Sequence, residues 1–566
     1  MADDNAVELI KRSDGRFSKR QNLDSLRHEI ALNFAPHLAE WTGPLIMGDD
    51  FCAHMADGTP LLIARDYIGQ IGATLRPPGK QWFWHRTQDD DLNEDPEVRT
   101  YLDWRSNQMR RVMFDRITGT EGALSAADEF YGLFGDAVLA FDLTPDRSAI
   151  RAQNFHTKDC VWAIGANNTA DTITRKEVLP ARVIKQRFPL KSDKLHEKVV
   201  EACDKSPDTE FELRHEVLPA YEYDSYIKRS PLKKQDGWVS VWIDVANRVV
   251  IREAYHPTMR YVVPRAGKRH GWPYGFSRAT MAALPDARML QQQAVAIMEA
   301  AEKQLSPPLI AYSDAIRGDI RLDGITWVDR NYDSRSGAPV EPLELGKNFN
   351  LGVDAILRTE QQLIRAFMLD RLRMPDTRTS KSTMEVSFLI DEYVRSSLPL
   401  FGPMKSEYSD EVLYEVDRLV EIAGGYAARQ KPKALQDMEM SFAWDNPLTD
   451  MLERQKAQKL SEAATLIQTG AAVEAAAQQV PSVGQMDVGR AVRSSLIGVG
   501  VADWLKTEKQ VKQDAEARAQ AQQMEQAMAQ APNLADVVHR GAQAAQIASD
   551  IPNPAEPSMP LLPAPV

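Results

Sequence analysis

The sequence is poor in cysteine and has no long hydrophobic run, and each absence excludes a class of protein. Its three cysteines, Cys52, Cys160 and Cys203, are far apart and lack the CxxC or Cys/His spacing of metal sites. We therefore expect no disulfide framework and no zinc site, and a reducing compartment. No run approaches 18 apolar residues, and the first residues lack the apolar core of a secretory signal, so we expect no membrane contact.

Motifs of catalysis are missing as well. No GxxxxGK[ST] phosphate loop occurs, so the sequence offers no recognisable site for ATP hydrolysis. The segment GFSRA at 275–279 lacks the final glycine of a GxSxG nucleophile elbow, and a turn entering a helix explains Ser277 better than a hydrolase does. Asp89–Asp91 reads as a solvated loop, because cation sites need spaced ligands that converge. We expect no enzyme activity, no cofactor and no metal.

What the chain does contain is 566 residues with 43% apolar content, 26% charged content and a net charge of −12. That length exceeds what one core normally holds, so we expect several domains or one elongated subunit. The acidic balance excludes a sequence-specific DNA binder over most of the surface, because phosphate contacts require a basic face. Two explanations stay open: an ordinary acidic protein, or a surface past which DNA moves without being gripped.

The pattern of apolar residues predicts an α+β chain that is mainly helical. Helices are predicted at 18–42, 61–75 and 96–114, the first stopped by Pro36 and the second by Pro77-Pro78. The candidate core residues of the first and third helices are Leu23, Leu26, Ile30, Phe34, Val98, Leu102, Met109 and Met113. Residues 82–84 form an aromatic cluster that we expect to be buried.

Residues 137–265 form a β-rich region. The predicted strand runs are Ala137–Phe141, Val161–Ile164, Val178–Val183, Val239–Val245 and Val249–Ile251. The charged segment 190–215 has room for a helix.

Two helices of similar length follow. Residues 286–305 carry Leu290, Ala294, Ile297, Ala301 and Leu305 on one face, and residues 352–372 carry Val353, Ile356, Leu357, Ile364, Phe367 and Met368. Each is about 30 Å long, so the two can run antiparallel. The segment between them contains Asp323-Gly324, a hairpin signal, and at 338–346 an edge strand.

The rest of the chain is predicted to be a loop followed by helices. The predicted segments are a polar, basic loop at 373–382, a helix at 383–425 interrupted near Pro399 and Pro403 and closed by Gly424-Gly425, helices at 448–479 and 486–505, an exposed or self-associating helix at 507–530, and a disordered Pro-rich end.

Six segments stand out in order along the chain. They are DSLRHEIALNFAPHLAEW at 24–41, QIGATLRPPGKQWFW at 70–84, FGDAVL at 134–139, PYGFSRATMAALPDARMLQQQAVAIMEAAEKQLSPPLI at 273–310, STMEVSFLIDEYVRSSLPLFGP at 382–403 and NPLTDMLERQKA at 446–457. Together they resemble one family, the head-to-tail connecting (portal) proteins of short-tailed phages. In the fifth, Ser-Thr-Met-Glu-Val departs from the family's more usual Thr-Ala-Thr-Glu.

The resemblance implies the portal fold with wing, stem, clip and crown. Its layout would be a wing of 1–285 and 383–447, stem helices 286–305 and 350–372, a clip of 306–349, a tunnel loop of 373–382, a crown of 448–505, and a helical barrel or tail of 506–566. It also implies a dodecameric ring at one capsid vertex of the virion, assembled in the host cytoplasm.

The implied partners are other copies of the chain, double-stranded DNA passing without sequence specificity, a terminase that supplies the power, a major capsid or scaffolding protein, and a tail adaptor. The candidate DNA-facing residues of the tunnel loop are Arg371, Arg373, Arg378 and Lys381; an ordinary surface loop is the alternative. The candidate docking residues of the clip are Arg321, Asp323, Trp327 and Arg330; packing of Trp327 in a small core is the alternative. The rival functions are another virion structural protein, such as a tail adaptor or an internal core protein, and a hydrolase.

Overall fold

The structure is a computed structural model of the whole chain. It describes residues 3–77, 81–89, 92–93, 95–144, 149–189, 193–228, 237–305, 309–311, 340–342, 349–372, 404–436, 438, 440–444, 465 and 468–469. The chain divides into two compact units, Met1–Leu452 and Glu453–Val566. In the second unit the described residues are helical, and the hydroxyl of Thr469 donates to the carbonyl of Thr465. The elements below all belong to the first unit.

Helices make up most of the first unit. In chain order they are α1 (Asp4–Phe34), α2 (Thr59–Leu75), α3 (Pro96–Met113), α4 (Thr120–Phe134), α5 (Ala181–Arg187), α6 (Glu197–Lys205), α7 (Arg278–Leu305), α8 (Phe349–Ala366), α9 (Leu369–Leu372) and α10 (Asp410–Ile422). Short 3-10 turns occur at Pro36–Leu38, Thr157–Asp159 and Lys433–Leu435, a single α-helical turn at Ala220–Glu222, and π-helical turns at Tyr223–Ile227 and Lys405–Ser409.

The strands form several antiparallel sheets. They are β1 (Phe83–Thr87), β2 (Leu139–Leu143), β3 (Ile150–Asn154), β4 (Cys160–Ile164), β5 (Ala170–Pro180), β6 (Glu210–Pro219), β7 (Trp238–Asp244), β8 (Val249–His256), β9 (Tyr261–Val262), β10 (Leu309–Ala311), β11 (Val340–Pro342) and β12 (Met440–Trp444). Strands β4 to β8 form a five-stranded sheet in sequence order, β3-β2-β9 a three-stranded sheet, and β1-β12 and β10-β11 two pairs.

Helix α1 joins two hydrophobic cores. Its start is capped by Asp3, whose backbone N–H donates to the carbonyl of Arg248 in the five-stranded sheet. Near this start, Leu9 packs in a core with strands β6 and β7. Near its end, Ile30 and Phe34 pack in the main core with helices α2, α4, α7 and α10. At about 1.5 Å per residue the helix spans roughly 46 Å, so it connects the five-stranded sheet to the main core.

The prediction for α1 was wrong at both bounds. The helix begins at Asp4 rather than at residue 18, and it ends at Phe34, with a separate 3-10 turn at Pro36–Leu38. The missed half carries few apolar residues, because polar side chains occupy part of its buried face. Ser13 is fully buried there, and its hydroxyl donates to the carbonyl of Ile10 at 2.8 Å.

The other N-terminal predictions are largely confirmed. Helices α2 and α3 lie within two residues of the predicted bounds, and Val98, Leu102, Met109 and Met113 are all buried. In the aromatic cluster, Trp82 and Phe83 are buried. Helix α4 was not predicted.

The β-rich region is also present, with different bounds. The predicted strand run to Val183 is wrong after Pro180, because the chain turns into α5 at Ala181. The charged segment 190–215 holds helix α6 but gives way to strand β6 from Glu210 onward.

Candidate functional site: a pair of long helices

Helices α7 and α8 pack against each other along their lengths. Gly352 allows the close approach, because a Cβ at this position would lie 3.2 Å from Ile297. Two turns further along α8 and about one turn back along α7, the hydroxyl of Thr359 donates to Oε1 of Gln293 at 3.1 Å. Contacts that advance along α8 therefore retreat along α7, so the helices are antiparallel, as predicted.

Strands β10 and β11 lie at the far ends of the two helices. Leu309 pairs with Pro342 and Ala311 with Val340 in an antiparallel register. Strand β11 falls inside the segment 338–346 that was predicted to form an edge strand. The two strands hold the chain together where it leaves α7 and where it returns to α8.

The first half of α7 is anchored in the main core. Seven of its residues are buried: Ala279, Thr280, Ala283, Leu284, Ala287, Leu290 and Ala294. The hydroxyl of Thr280 also donates to the carbonyl of Leu133 at 2.7 Å. The helix begins at Arg278 and continues through Pro285, so the predicted start at residue 286 was wrong. The four buried residues before Pro285, together with the hydrogen bond of Thr280, hold the first turns in place.

Helix α8 buries one face and divides its exposed face into two stripes. Thr359 and Leu363 point inward and are buried. Val353, Leu357 and Ile364 form an exposed apolar stripe, with exposed fractions of 40%, 50% and 37%. Beside it, an exposed polar stripe carries Asp354, Arg358, Gln361 and Arg365. Nothing among the described residues covers the apolar stripe.

Helix α7 also leaves apolar side chains uncovered. Met281, Met289, Val295 and Met298 are between 39% and 57% exposed, and Leu305 at its end is 87% exposed. Both helices of the pair thus leave apolar side chains exposed, and exposed apolar surface of this kind marks association surfaces.

The near end of the pair is fixed by one aromatic residue. Phe367 is fully buried, and its ring centroid lies 5.3 Å from those of Phe34 and of Tyr67, both edge-to-face. Helix α8 ends at Ala366, and Met368 has a φ of +54°, in the left-handed region. The predicted single helix 352–372 is therefore broken here, and Leu369–Leu372 form a separate turn, α9.

Buried ion pairs, which were not predicted, join the elements around the near end of the helix pair. Arg27 of α1 pairs with Asp136, which is fully buried; burial raises the pKa of Asp136, and the charge of Arg27 offsets part of that rise. Arg76 at the end of α2 pairs with Asp128 of α4.

A third network joins β1, α3 and α10. Asp417 accepts hydrogen bonds from Arg105, at 2.7 and 3.1 Å, from Tyr426 at 2.7 Å and from His85 at 3.0 Å. Burial opposes ionisation of Asp417, yet the bonds from His85 and Arg105 hold its pKa well below the usual range. Local sequence patterns could not have revealed this cluster, because His85 and Arg105 lie more than 300 residues from Asp417.

The chain was compared with known families, curated proteins and solved structures. A family model described as bacteriophage head to tail connecting protein matches residues 7–503.

The chain belongs to this family.

The other comparisons add no further assignment. No curated protein matches the connecting protein. Among solved structures it is similar to a chain in the virion of a native gene transfer agent (GTA) particle, with 9% identity, a TM-score of 0.31, and 76% of this chain and 94% of that chain covered. It is also similar to a chain in the neck of an empty GTA particle, with 11% identity, a TM-score of 0.33, and 74% and 91% covered.

Membership confirms the family resemblance drawn from the six sequence segments. The matched range contains both long helices, the β-rich region and α10. The connecting protein is thus a structural component that links head and tail in a virion. Its fold mixes helix and sheet, as predicted.

The predicted site residues of the connecting protein fall almost entirely outside the described residues. This holds for Arg373, Arg378 and Lys381 of the predicted tunnel loop, and for the predicted docking residues Arg321, Asp323, Trp327 and Arg330. For Arg371 the backbone lies in α9. The geometry therefore supports the helix pair as a site and leaves these residues as predictions.

Two serines lie in surroundings that resemble parts of a catalytic arrangement. Ser277 is buried and stands directly before α7, where its Oγ accepts from the N–H of Thr280 at 3.4 Å, so it acts as a helix-entry residue. Ser106, His85 and Asp417 form a series of hydrogen bonds, with 2.9 Å between Ser106 Oγ and His85 Nδ1. Ser106 and His85 are fully buried, so no substrate reaches them, and the series ties β1 to α3 and α10.

Membrane and metal sites were also sought. Within the part of the chain that the structure describes, no helix is long and apolar enough to cross a bilayer. In the same residues, no group of three or more His, Cys, Asp or Glu side chains could hold a metal ion. Of the run Asp89–Asp91, only Asp89 lies within the described residues.

Proposed function

We propose that the connecting protein is a portal: a closed ring, dodecameric, at one capsid vertex, through which double-stranded DNA enters and leaves the head. The observation that carries the proposal is the uncovered apolar stripe of α8 together with the exposed apolar residues of α7. Each fully buried aliphatic side chain contributes about 1.5–3 kcal/mol, so several of them reward association strongly. Identical copies arranged head to tail cover these residues and enclose an axis.

The proposed layout follows the family. Residues 286–305 of α7 and residues 350–372 are the stem, residues 306–349 the clip, 373–382 the tunnel loop, 1–285 and 383–447 the wing, and 448–505 the crown, with 506–566 as a helical extension. The clip docks the terminase during packaging and the tail adaptor afterwards. Arg371, Arg373, Arg378 and Lys381 meet the passing DNA.

The charge of the chain favours weak contacts with passing DNA over tight binding of DNA. The net charge is −12, and the polar stripe of α8 mixes Asp354 with Arg358 and Arg365. Each phosphate neutralised by a protein cation adds a salt-dependent hold on DNA, so a mixed lining keeps contacts weak. The energy for translocation then comes from a separate terminase ATPase.

Purified protein tests the proposal directly through its mass in solution and its projection image. We expect rings with a central hole. Leu357→Asp places a charge in the apolar stripe and should prevent ring formation, because the charge would be buried between copies at a cost of several kcal/mol.

Gln361→Asp is the matched control. It adds the same charge one turn further along α8, but on the polar stripe, and should leave rings intact. A wild-type protein that stays monomeric at high concentration, or a Leu357→Asp variant that assembles as well as the control, would contradict the proposal.

A further inference from the structure

Residues 39–58 form a long connection without helix or strand between the 3-10 turn at Pro36–Leu38 and α2. Irregular connections longer than about 12–15 residues are uncommon inside compact folds and usually serve a function.

Both ends of this connection are fastened. At its start, the ring centroid of Trp41 lies 4.6 Å from those of Phe134 and of His156. At its end, Oε1 of Gln291 in α7 accepts from the N–H groups of Ala56 and Asp57 at 2.8 and 3.0 Å, and its Nε2 donates to the carbonyl of Asp57 at 2.7 Å. Because α7 holds the connection in this way, the loop is set in a fixed direction relative to the helix.

The middle of the connection is apolar and exposed. Ile46 is 65% exposed and Met47 is 99% exposed. Gly48 follows with a φ of +96°, a left-handed conformation that favours glycine and turns the chain back. Asp49 and Asp50 come next, both exposed. We call residues 43–50 the arm; its tip is an apolar pair followed by two carboxylates.

A surface of matching character lies on α7. Arg278, Met281, Ala282, Pro285 and Met289 are all exposed, and their spacing places them on one side of the helix. We call them the outer face of α7. Met281 and Met289 are 49% and 39% exposed, and Arg278 forms no ion pair with any residue in the described part of the chain. The outer face is therefore apolar with a cation at one end.

The end of the connection and the outer face lie on different sides of α7. Gln291, which bonds Ala56 and Asp57, follows Met289 by two residues, and at about 100° per residue the two side chains point roughly 160° apart. A subunit with complementary patches on opposite sides makes head-to-tail contacts, which close into a ring when the rotation allows.

We propose that the arm of each subunit docks on the outer face of α7 in the neighbouring copy. Ile46 and Met47 cover Met281 and Met289, and Asp49 and Asp50 approach Arg278. The inference rests on the ring proposed above and adds to it a second, separate contact besides the apolar stripe of α8. Because Trp41 and Asp57 already fix the two ends of the connection that carries the arm, less entropy is lost on docking than for a free chain end.

Cysteine cross-linking tests the contact in the assembled full-length protein. The background carries Cys52→Ser and Cys203→Ser, since Cys52 is exposed and Cys203 partly so, whereas Cys160 is buried. Protein with Met47→Cys is mixed with protein carrying Met289→Cys before assembly and then oxidised. We expect a disulfide-linked pair of chains, one of each kind.

The matched control mixes Met47→Cys with Val178→Cys, a position that is 56% exposed on β5, and should give no such pair. Rings that form without the Met47–Met289 cross-link, or that link Met47→Cys to the control position equally well, would overturn the arm contact and leave the ring standing. Absence of rings in the wild type would instead overturn the proposed function.

A charged substitution in the arm tests the contact without cross-linking, through the protein concentration at which half of the chains assemble. Met47→Asp should raise the protein concentration at half assembly at least about tenfold, because burial of one such side chain is worth about that factor in an equilibrium constant. Thr42→Asp adds the same charge to an exposed position earlier in the same loop and should change little. Equal assembly of the two variants would count against the proposal.

Discussion

At the scale of single residues, Asp417 shows how buried charges hold distant parts of the first unit together. Its carboxylate accepts from Arg105, His85 and Tyr426, which come from α3, β1 and the turn after α10. Asp417→Asn removes the charge and leaves the buried guanidinium of Arg105 with only the exposed carboxylate of Glu421 as an ionic partner. We expect a loss of about 3–5 kcal/mol in the free energy of unfolding, measured by urea titration.

Glu421→Gln is the control for that loss. Glu421 also pairs with Arg105, at 3.2 Å, but its side chain is 60% exposed, so solvent screens the interaction. We expect less than about 1 kcal/mol. Similar losses in the two variants would mean that the buried carboxylate is not the one that stabilises Arg105.

At the scale of elements, the break in the second long helix depends on the backbone of Met368. Its φ of +54° is unfavourable for any residue with a Cβ, by about 1–2 kcal/mol. Glycine avoids this cost, so the Met368→Gly variant should be more stable than Met368→Ala by about 1 kcal/mol. Thermal unfolding of the two variants measures the difference.

The same two substitutions, to glycine and to alanine, are the control at Gln361, where the difference in stability should have the opposite sign. Gln361 is exposed in the middle of α8, where glycine costs about 1 kcal/mol relative to alanine. Gln361→Gly should therefore be less stable than Gln361→Ala. If alanine is the better residue at both positions, α8 continues through Met368 and the break is absent.

Some elements could be predicted from the sequence and others could not, for physical reasons. Helices α2 and α3 have apolar residues on one side and proline near an end, so their pattern is clear. Helix α4 has Gly122 and Gly132 in its interior, and because glycine costs about 1 kcal/mol relative to alanine within a helix, the sequence does not favour a helix there. The break at Met368 has no glycine or proline to mark it.

The candidate site shows the same limit. The sequence predicts two antiparallel helices and names their apolar residues, but it does not separate those that face the partner helix from those left uncovered. Leu363 and Phe367 point inward, whereas Leu357 and Ile364 point outward, and all four are equally apolar in the sequence. The uncovered set becomes visible only when the packing of α7 on α8 is known.

At the scale of the whole molecule, uncovered apolar stripes tie stability to protein concentration. If copies cover Val353, Leu357 and Ile364 in the native state only, assembly stabilises the folded chain by mass action. The Tm of the wild type should then rise as protein concentration increases over two orders of magnitude.

Leu357→Asp separates this effect from the stability of the subunit itself. The side chain of Leu357 is half exposed in the single chain, so the substitution should alter the subunit little, while it removes the contact between copies. We expect its Tm to be independent of concentration and close to that of the wild type at the highest dilution. A Tm that rises with concentration equally in both proteins would place the contact between copies on another surface, because the stripe of α8 would then contribute nothing to assembly.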